Sequence, residues 1–520
     1  MKININPSFF SIDSPWKTIL DQEGLHWEII NKDLNHNACI IISDDTAVSF
    51  DLLENYVKSG GLLLISSFKW KKITNSENHK KKVSFLIPKK SSPFSSIDFI
   101  EINHEVEYPK NKSMFSLDDN LFIFKYPLGS GCIIIHPFNL KKNFCSTNSR
   151  RKNFYDTRIE LPSEMVANVT KSKIRKTLFL CLKYLYDFKK LPIVRSNYNP
   201  ANYNSIFCFR IDSDFSSKKN AKKINALCEK YSIPATWFIE TSSKKIIQNV
   251  YKNFNTSEFA FHNDRHIIFN NLYDNNKNIE TGLNKLKNLN INNLNGFAAP
   301  FGDWNVTLNE ALEDKFSYSS EFTYDYDNFP SYPIINGNFS KVLQIPVHPI
   351  SIGRLNRSHY SKYEMVDYYL NIIKKKYLQN EPILIYYHPN NKFFSVIEAV
   401  FKEIKLLNIK IMTMYDYYNF WIKRILNKPN CSFNNNTIII NNSSFNVEIL
   451  FNKKSAVIHS KKEINLSNIK FNTIKKNNPP KDIKKIKKKT WRNLLYDFER
   501  YNTMRKMRKF FSVAISLFLL

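Results

Sequence analysis

The sequence predicts an α/β protein built around a parallel (β/α) barrel or a distorted version of one. An N-terminal parallel α/β domain precedes it and a small C-terminal β domain follows. Three observations carry this reading. Across residues 202–425, short apolar runs alternate with helix-patterned stretches, as strands do when crossover helices cover both faces of a sheet. Polar residues sit just after several of those runs, at the strand ends where barrels gather reactive groups. Beyond residue 428 the pattern changes to short alternating strands separated by Asn- and Lys-rich turns.

The first region, 1–195, contains an apolar run at 38–43 that reads as a buried strand. Residues 50–58 have helical spacing, Gly60 and Gly61 stop the helix, and 62–66 is the next buried strand. A further strand is expected at 132–136 and a helix at 172–188. Cys39 and Cys132 lie inside apolar strands and read as small core residues. Residues 191–201, with Pro192 and Pro200, read as a linker. The second region, 202–425, offers strands at 206–211, 235–239, 259–261 and 382–387, and helices at 221–231, 281–289 and 396–407. The third, 428–472, offers antiparallel strands at 437–441, 445–451 and 455–459. A basic tail with an apolar end, 473–520, follows.

Composition narrows the class. A chain of 520 residues allows about three domains. With 43% hydrophobic and 14% aromatic residues it can bury sizeable cores, which excludes a chain disordered throughout. The 7 cysteines form no CxxC pair, so neither a disulfide framework nor a cysteine zinc site is indicated. No secretory signal is recognisable at the N-terminus, and a cytoplasmic setting is expected. The net charge of +30 accompanies abundant Lys, Asn, Ile and Phe and only 10 glycines. A/T-rich coding accounts for that combination. No nucleic-acid-binding motif accompanies the charge, so nucleic acid is not an expected partner.

The chemistry concentrates in the second region. Asp212 and Asp214 follow the run 206–211 at an i, i+2 spacing. Where a chain bends at a strand end, that spacing can aim two carboxylates at one cleft, one for a metal and one as a base. The competing reading is an Asp-rich turn, since Ser213, Ser216 and Ser217 are also cap formers. His262 and His266 are spaced i, i+4 after 259–261, which suits a shared metal ion or a pair of surface histidines. The Pro/Gly turn from Ala299 to Trp304 could present a backbone N–H to a developing oxyanion. His388 ends the late strand, where a general acid would be well placed.

In this order, FRIDSD, YSIPATWFIE, FHNDRH, AAPFG and ILIYYHP resemble the motifs of the polysaccharide deacetylase (NodB-homology, carbohydrate esterase family 4) family. The resemblance spans residues 202–425. It implies a distorted (β/α) barrel and a divalent metal ion, zinc first among the candidates, held by Asp214, His262 and His266. It further implies Asp212 as catalytic base, His388 as catalytic acid and the Phe301 N–H as oxyanion donor. One position departs from the pattern: the family's motif arginine falls at Ala298, and Arg210 and Arg265 are the candidates to replace it. Trp304, Asp325, Asp327 and His348 are candidates to line the substrate cleft. In the first region, LLENYVKSGGLLLIS and GSGCIIIHPF resemble an amidotransferase-like α/β domain, without a nucleophile elbow and so non-catalytic.

These readings make the chain a metal-dependent hydrolase that removes N-acetyl groups from a sugar in a polysaccharide or its precursor. The alternatives are a C–N hydrolase for a non-sugar amide and, because of Ala298, a non-catalytic carbohydrate-binding protein. The tail bears on location. Leu494, Leu495, Phe498 and Tyr501 recur at helical spacing, and cations precede the apolar segment 510–520. Such a segment suits an anionic membrane surface, where each cation contributes about 1 kcal/mol. The full-length protein is expected to sediment with anionic liposomes at low salt, and a chain ending at Pro480 to stay in the supernatant. Both staying in the supernatant would remove the anchor.

Overall fold

A computed structural model describes residues 2–30, 34–110, 114–243, 247, 250–254, 258–442, 446–459 and 461–473, with Ile486 and Leu495. The rest of the tail, and with it the expected tail helix, lies outside the described residues.

The first sheet has a parallel centre of Ile3–Phe9, Asn37–Ile42, Leu62–Ser66 and Gly131–His136. Helices pack on it, which is why these strands are apolar on both faces. Cys39 and Cys132 both stand opposite Leu62 and are fully buried. Burial pushes the Cys132 thiol up to about 11 and Cys39 further, so both are packing residues. Gly60 ends the helix Phe50–Lys58 with φ +111°, a conformation that only glycine adopts readily.

The C-terminal strands are antiparallel to one another, as the alternation predicts, but they do not form a sheet of their own. Asn430–Asn434 pairs antiparallel with Ile3–Phe9, and Thr437–Asn442 and Glu463–Asn465 continue outwards, so these strands extend the first sheet. Val447–Phe451 pairs with Lys454–Ile458 and with Ile193–Ser196. The stretch expected to be a linker therefore contains a strand. Pro192 and Pro200 bracket it and disguise it, while the apolar side chains of Ile193 and Val194 are buried.

The second sheet is the barrel. Its parallel strands run, in spatial order, Leu343–Gln344, Tyr318–Ser319, Gly296–Phe297, Glu258–Phe261, Ala235–Ile239, Ser205–Asp212 and Ile383–Tyr387. Ile409–Ile411 also pairs with the first half of Ser205–Asp212. Among the described residues no ladder joins Leu343–Gln344 to Ile383–Tyr387. Across that gap the His348 amide donates to the Leu384 carbonyl at 2.9 Å. The barrel is thus curled and open on one side. Amphipathic helices cover it, among them Lys218–Lys230, Leu272–Lys287, Lys362–Leu378 and Phe394–Leu406. Leu272–Lys287 begins nine residues before the expected start at Thr281. Its first turns are Asn-rich and read as loop, yet Asn271 caps the Asp274 amide and Asn275 and Ile279 are buried. None of the helices among the described residues is long and apolar enough to cross a membrane.

A buried charge network joins the regions. Glu23, at the end of the helix Ser14–Glu23, accepts from Arg175, Arg195 and the Tyr198 hydroxyl, and Arg195 also reaches Glu448 at 2.7 Å. Arg424 donates to the carbonyls of Asp21, Gln22, Ser196 and Asn197. Removing one member of such a network strands the others without water, at about 3–5 kcal/mol. Glu23→Ala is accordingly expected to lower the chemical-denaturation midpoint strongly, and a midpoint equal to wild type would show that the network holds nothing.

Candidate functional site

The strand Ser205–Asp212 carries the site at its C-terminal end. Successive side chains of a strand alternate between faces, so Arg210 and Asp212 point to the same side. Their contact is bidentate, with Arg210 Nε on Asp212 Oδ1 at 2.6 Å and Nη2 on Oδ2 at 2.7 Å. The other Arg210 nitrogen donates to the Ser320 carbonyl and, at 3.1 Å, to the Ser320 hydroxyl. Burial alone would raise the Asp212 carboxyl. The Arg210 guanidinium, helped by His262 and His388, outweighs it and holds the group below the usual carboxylate range.

Past Asp212 the chain leaves the sheet. Asp214 has φ +40°, a left-handed conformation that turns its carboxylate back over the strand ends. Asp214 Oδ1 lies 3.1 Å from His262 Nε2 and 3.2 Å from His266 Nε2. The three potential ligand atoms lie within 4.8 Å of one another. His262 follows the strand Glu258–Phe261, and its Nδ1 donates to the Ala298 carbonyl at 2.8 Å. That bond orients the ring and leaves Nε2 facing the centre, the arrangement usual for a metal-bound imidazole. Burial opposes the Asp214 charge, but His388, His262 and His266 together hold the carboxyl well below its ordinary range. One carboxylate and two imidazoles converging on a partly open point fit a divalent ion with room for further ligands.

His388 follows the strand Ile383–Tyr387. Its Nε2 is 3.5 Å from Asp214 Oδ2 and 3.7 Å from Asp212 Oδ2, and the Asn391 amide approaches its Nδ1 at 3.4 Å. The ring thus presents Nε2 to the two carboxylates and Nδ1 to Asn391.

Phe301 lies on the loop after Gly296–Phe297 with φ +61°, and its ring packs edge-on against His266 at 4.7 Å. Gly302 beside it has φ +63°, and a Cβ there would fall 2.2 Å from the Phe322 ring, so the turn needs glycine twice over. Phe215 packs on His266 from a different loop at 5.8 Å and is exposed.

The structure thus brings together Asp212, Asp214, His262, His266 and His388, with Arg210 behind them and Phe301 at the rim. It places the other candidates elsewhere. Arg265 is exposed, with its guanidinium 3.7 Å from Asp264. Trp304 is buried, donating to Asn309 and packed at a tilt against the Tyr324 ring. Asp325 is buried and accepts from the Tyr326 amide and Asn328. Asp327 and His348 bond to each other at 2.8 Å and line a separate cavity.

Three supporting residues escaped the sequence reading. Ser320 holds Arg210. Glu321, fully buried and pushed up to about 7 by burial, accepts from the Ala299 amide and so braces the 299–302 turn. Glu240 follows the strand Ala235–Ile239 and shares with Asp214 a cavity of about 220 Å³. Its position at a barrel strand's C-terminal end was the available signal.

No protein-family model matches the chain, and no curated protein matches it. Among solved structures, the chain is similar to Puue allantoinase, with 13% identity over 44% of this chain and 93% of that one and a TM-score of 0.38. It is similar to the peptidoglycan deacetylase PdaC from Bacillus subtilis, with 12% identity over 44% and 94% and a TM-score of 0.31. It is also similar to a family 4 carbohydrate esterase from Streptomyces lividans, with 10% identity over 40% and 92% and a TM-score of 0.27.

The geometry makes the metal assignment testable. His262→Ala is expected to abolish one-to-one zinc binding measured by elemental analysis while the far-UV circular dichroism is preserved. Undiminished zinc in that variant would refute the Asp214–His262–His266 centre.

Proposed function

We propose that the chain is a metal-dependent amide hydrolase that releases acetate from an N-acetylated sugar of a polysaccharide or its precursor. The observation that carries this reading is the convergence of three potential metal ligands, a separately held carboxylate and a second-strand histidine on one strand-end cleft. A divalent ion held by Asp214, His262 and His266, zinc first among the candidates, would supply polarisation of the scissile carbonyl and of a water molecule.

The remaining chemistry falls to the chain's own groups. Asp212 takes the proton of the attacking water. Its Arg210 partner keeps it anionic and fixes its direction, so the base is ready without reorganisation. The Phe301 N–H donates to the oxyanion as charge builds on the carbonyl oxygen. His388, in its imidazolium form, gives its Nε2 proton to the departing amine and is left neutral. Acetate and a free amino sugar result. Phe215 and Phe301 present partly exposed rings that both pack on His266, which suits stacking against the apolar face of a sugar ring.

Ala298 motivated a non-catalytic alternative, because an arginine there would orient the base. The bidentate Arg210–Asp212 contact supports the catalytic reading instead, since it supplies that cation from the base's own strand. A cytoplasmic setting and a carbohydrate partner belong to the same proposal.

Asp212→Asn and His388→Ala are expected to retain zinc but to lower acetate release about 10²–10⁴-fold. Acetate release would be measured on a panel of N-acetylated glycans, with simple acetamides as the non-sugar comparison. Near-wild-type turnover in either variant removes that residue's role, and preference for the simple amides would replace the sugar as substrate class.

A further inference from the structure

A cavity of about 320 Å³ lies between the first region and the open side of the barrel, and none of its lining residues belongs to the metal cluster, Asp212 or His388. Its volume is within the range of small-molecule sites. Its walls come from five places: the strand Ile100–Pro109 with Asp98 and Phe99 before it, the strand Ser149–Asn153 with Phe154 and Tyr155 after it, the helix Lys171–Phe188, the barrel loops bearing Asp327 and His348, and the helix Lys362–Leu378 with Gln379 and Glu381 after it.

Five lysines line it against four carboxylates. The carboxylates are heavily shared. Asp98 serves Lys173 at 2.7 Å and Lys375 at 2.8 Å. Glu101 serves Lys152 at 2.7 Å and Arg150, from outside the cavity, at 3.2 Å. Asp327 is divided between Lys376 and His348, each at 2.8 Å. Glu381 takes Lys176 at 2.6 Å. Positive charge therefore outnumbers negative in a partly enclosed space, where water screens it poorly. Burial pushes Lys152 down to about 8 and Lys173 below its ordinary range despite their carboxylate partners, whereas Asp98 holds Lys375 above its own against the same burial.

The rest of the wall is aromatic and aliphatic. Phe154 packs edge-on to both Tyr326 and His348, and Phe99, Tyr155 and Ile372 complete the apolar side. A ligand that satisfied both halves would carry an anionic group for the lysines and a flat apolar body for the rings. We propose that this cavity binds a small organic anion, a phosphate or carboxylate on an aromatic or similarly flat body, at a site separate from the metal cluster. Since the walls come from both the first region and the barrel, occupancy clamps the two together and stabilises the folded chain by linkage.

The proposal is independent of the deacetylase reading, and its test does not involve turnover. Full-length protein would be titrated calorimetrically with phenyl phosphate, benzoate, inorganic phosphate and neutral benzyl alcohol, and its melting temperature followed with each. Saturable one-to-one binding of phenyl phosphate or benzoate is expected, with a raised melting temperature; which anion binds more tightly identifies the headgroup. Benzyl alcohol should not bind. Inorganic phosphate should bind at least tenfold more weakly than phenyl phosphate, and equal affinity would refute the apolar half of the site. Lys375→Gln and Lys176→Gln, both at partly exposed positions, should each weaken binding about tenfold, and the unliganded melting temperature of each checks its folding. His262→Ala should bind phenyl phosphate as wild type does. Absence of saturable binding, affinity unchanged in both lysine variants, or loss of binding in His262→Ala would overturn the proposal, the last by placing the anion at the metal centre.

Discussion

The strand Ser205–Asp212 hydrogen-bonds to three neighbours, Ala235–Ile239, Ile383–Tyr387 and Ile409–Ile411, and the chemistry of the molecule depends on that position. A strand so enclosed cannot shift its register without moving the whole barrel. Its last residues are consequently held to the precision of the sheet, and charge can be tolerated there because the guanidinium and the carboxylate come from the same strand face. Arg210 and Asp212 neutralise each other before any other element contributes. Asp214, two residues on, is then free to leave the sheet and meet the histidines. Two carboxylates in different surroundings are produced by one strand and one turn.

Around this strand the supporting contacts follow a division of labour. His262 and His388 each end a parallel strand flanking the site, so their distances to the carboxylates are set by strand spacing rather than by loops. The 299–302 turn is the less regular part. It is held by Glu321 and by the absence of a side chain at Gly302, and it carries the Phe301 ring that packs on His266. The carboxylates and His262 and His388 are thus placed by the sheet, and Phe301 by a turn with its own fastenings.

Much of this was legible in the sequence, for a local reason. Buried parallel strands read as apolar runs, and residues at their ends are identified once the runs are found, so the Asp212–Asp214, His262–His266 and His388 positions could be grouped before any fold was known. The features that were not legible depend on partners distant in the chain. The pairing of Asn430–Asn434 with Ile3–Phe9 is a choice between two edges, and nothing in either segment states it. Ile193–Ser196 was masked by its flanking prolines. Asp327 and His348 read as cleft residues by their place in the resembled motif order, but Lys376 from a helix and the charges of the first region draw them to the other cavity. Arg210 was visible as a cation near the site, whereas its grip on Asp212 depended on the pleat.

The first and last parts of the described chain share one sheet, and this affects the order in which the protein can be made. Asn6 bonds to Asn430, 424 residues further on. A ribosome emitting the chain delivers Ile3–Phe9 early and its outer partner only after the entire barrel has emerged. Until then that edge, which Glu28–Ile29 covers at Ser8 and Phe9, is unpaired at Ile3 and Asn4, and unpaired edge amides and carbonyls are the kind of surface on which unfinished chains join one another. The Glu23 network is completed equally late, since Glu448 reaches Arg195 from the same final segment. Truncated products that stop after the barrel would retain every group of the metal cluster and yet lack the strand that covers the first sheet, so their yield would be limited by association between chains rather than by the stability of the barrel.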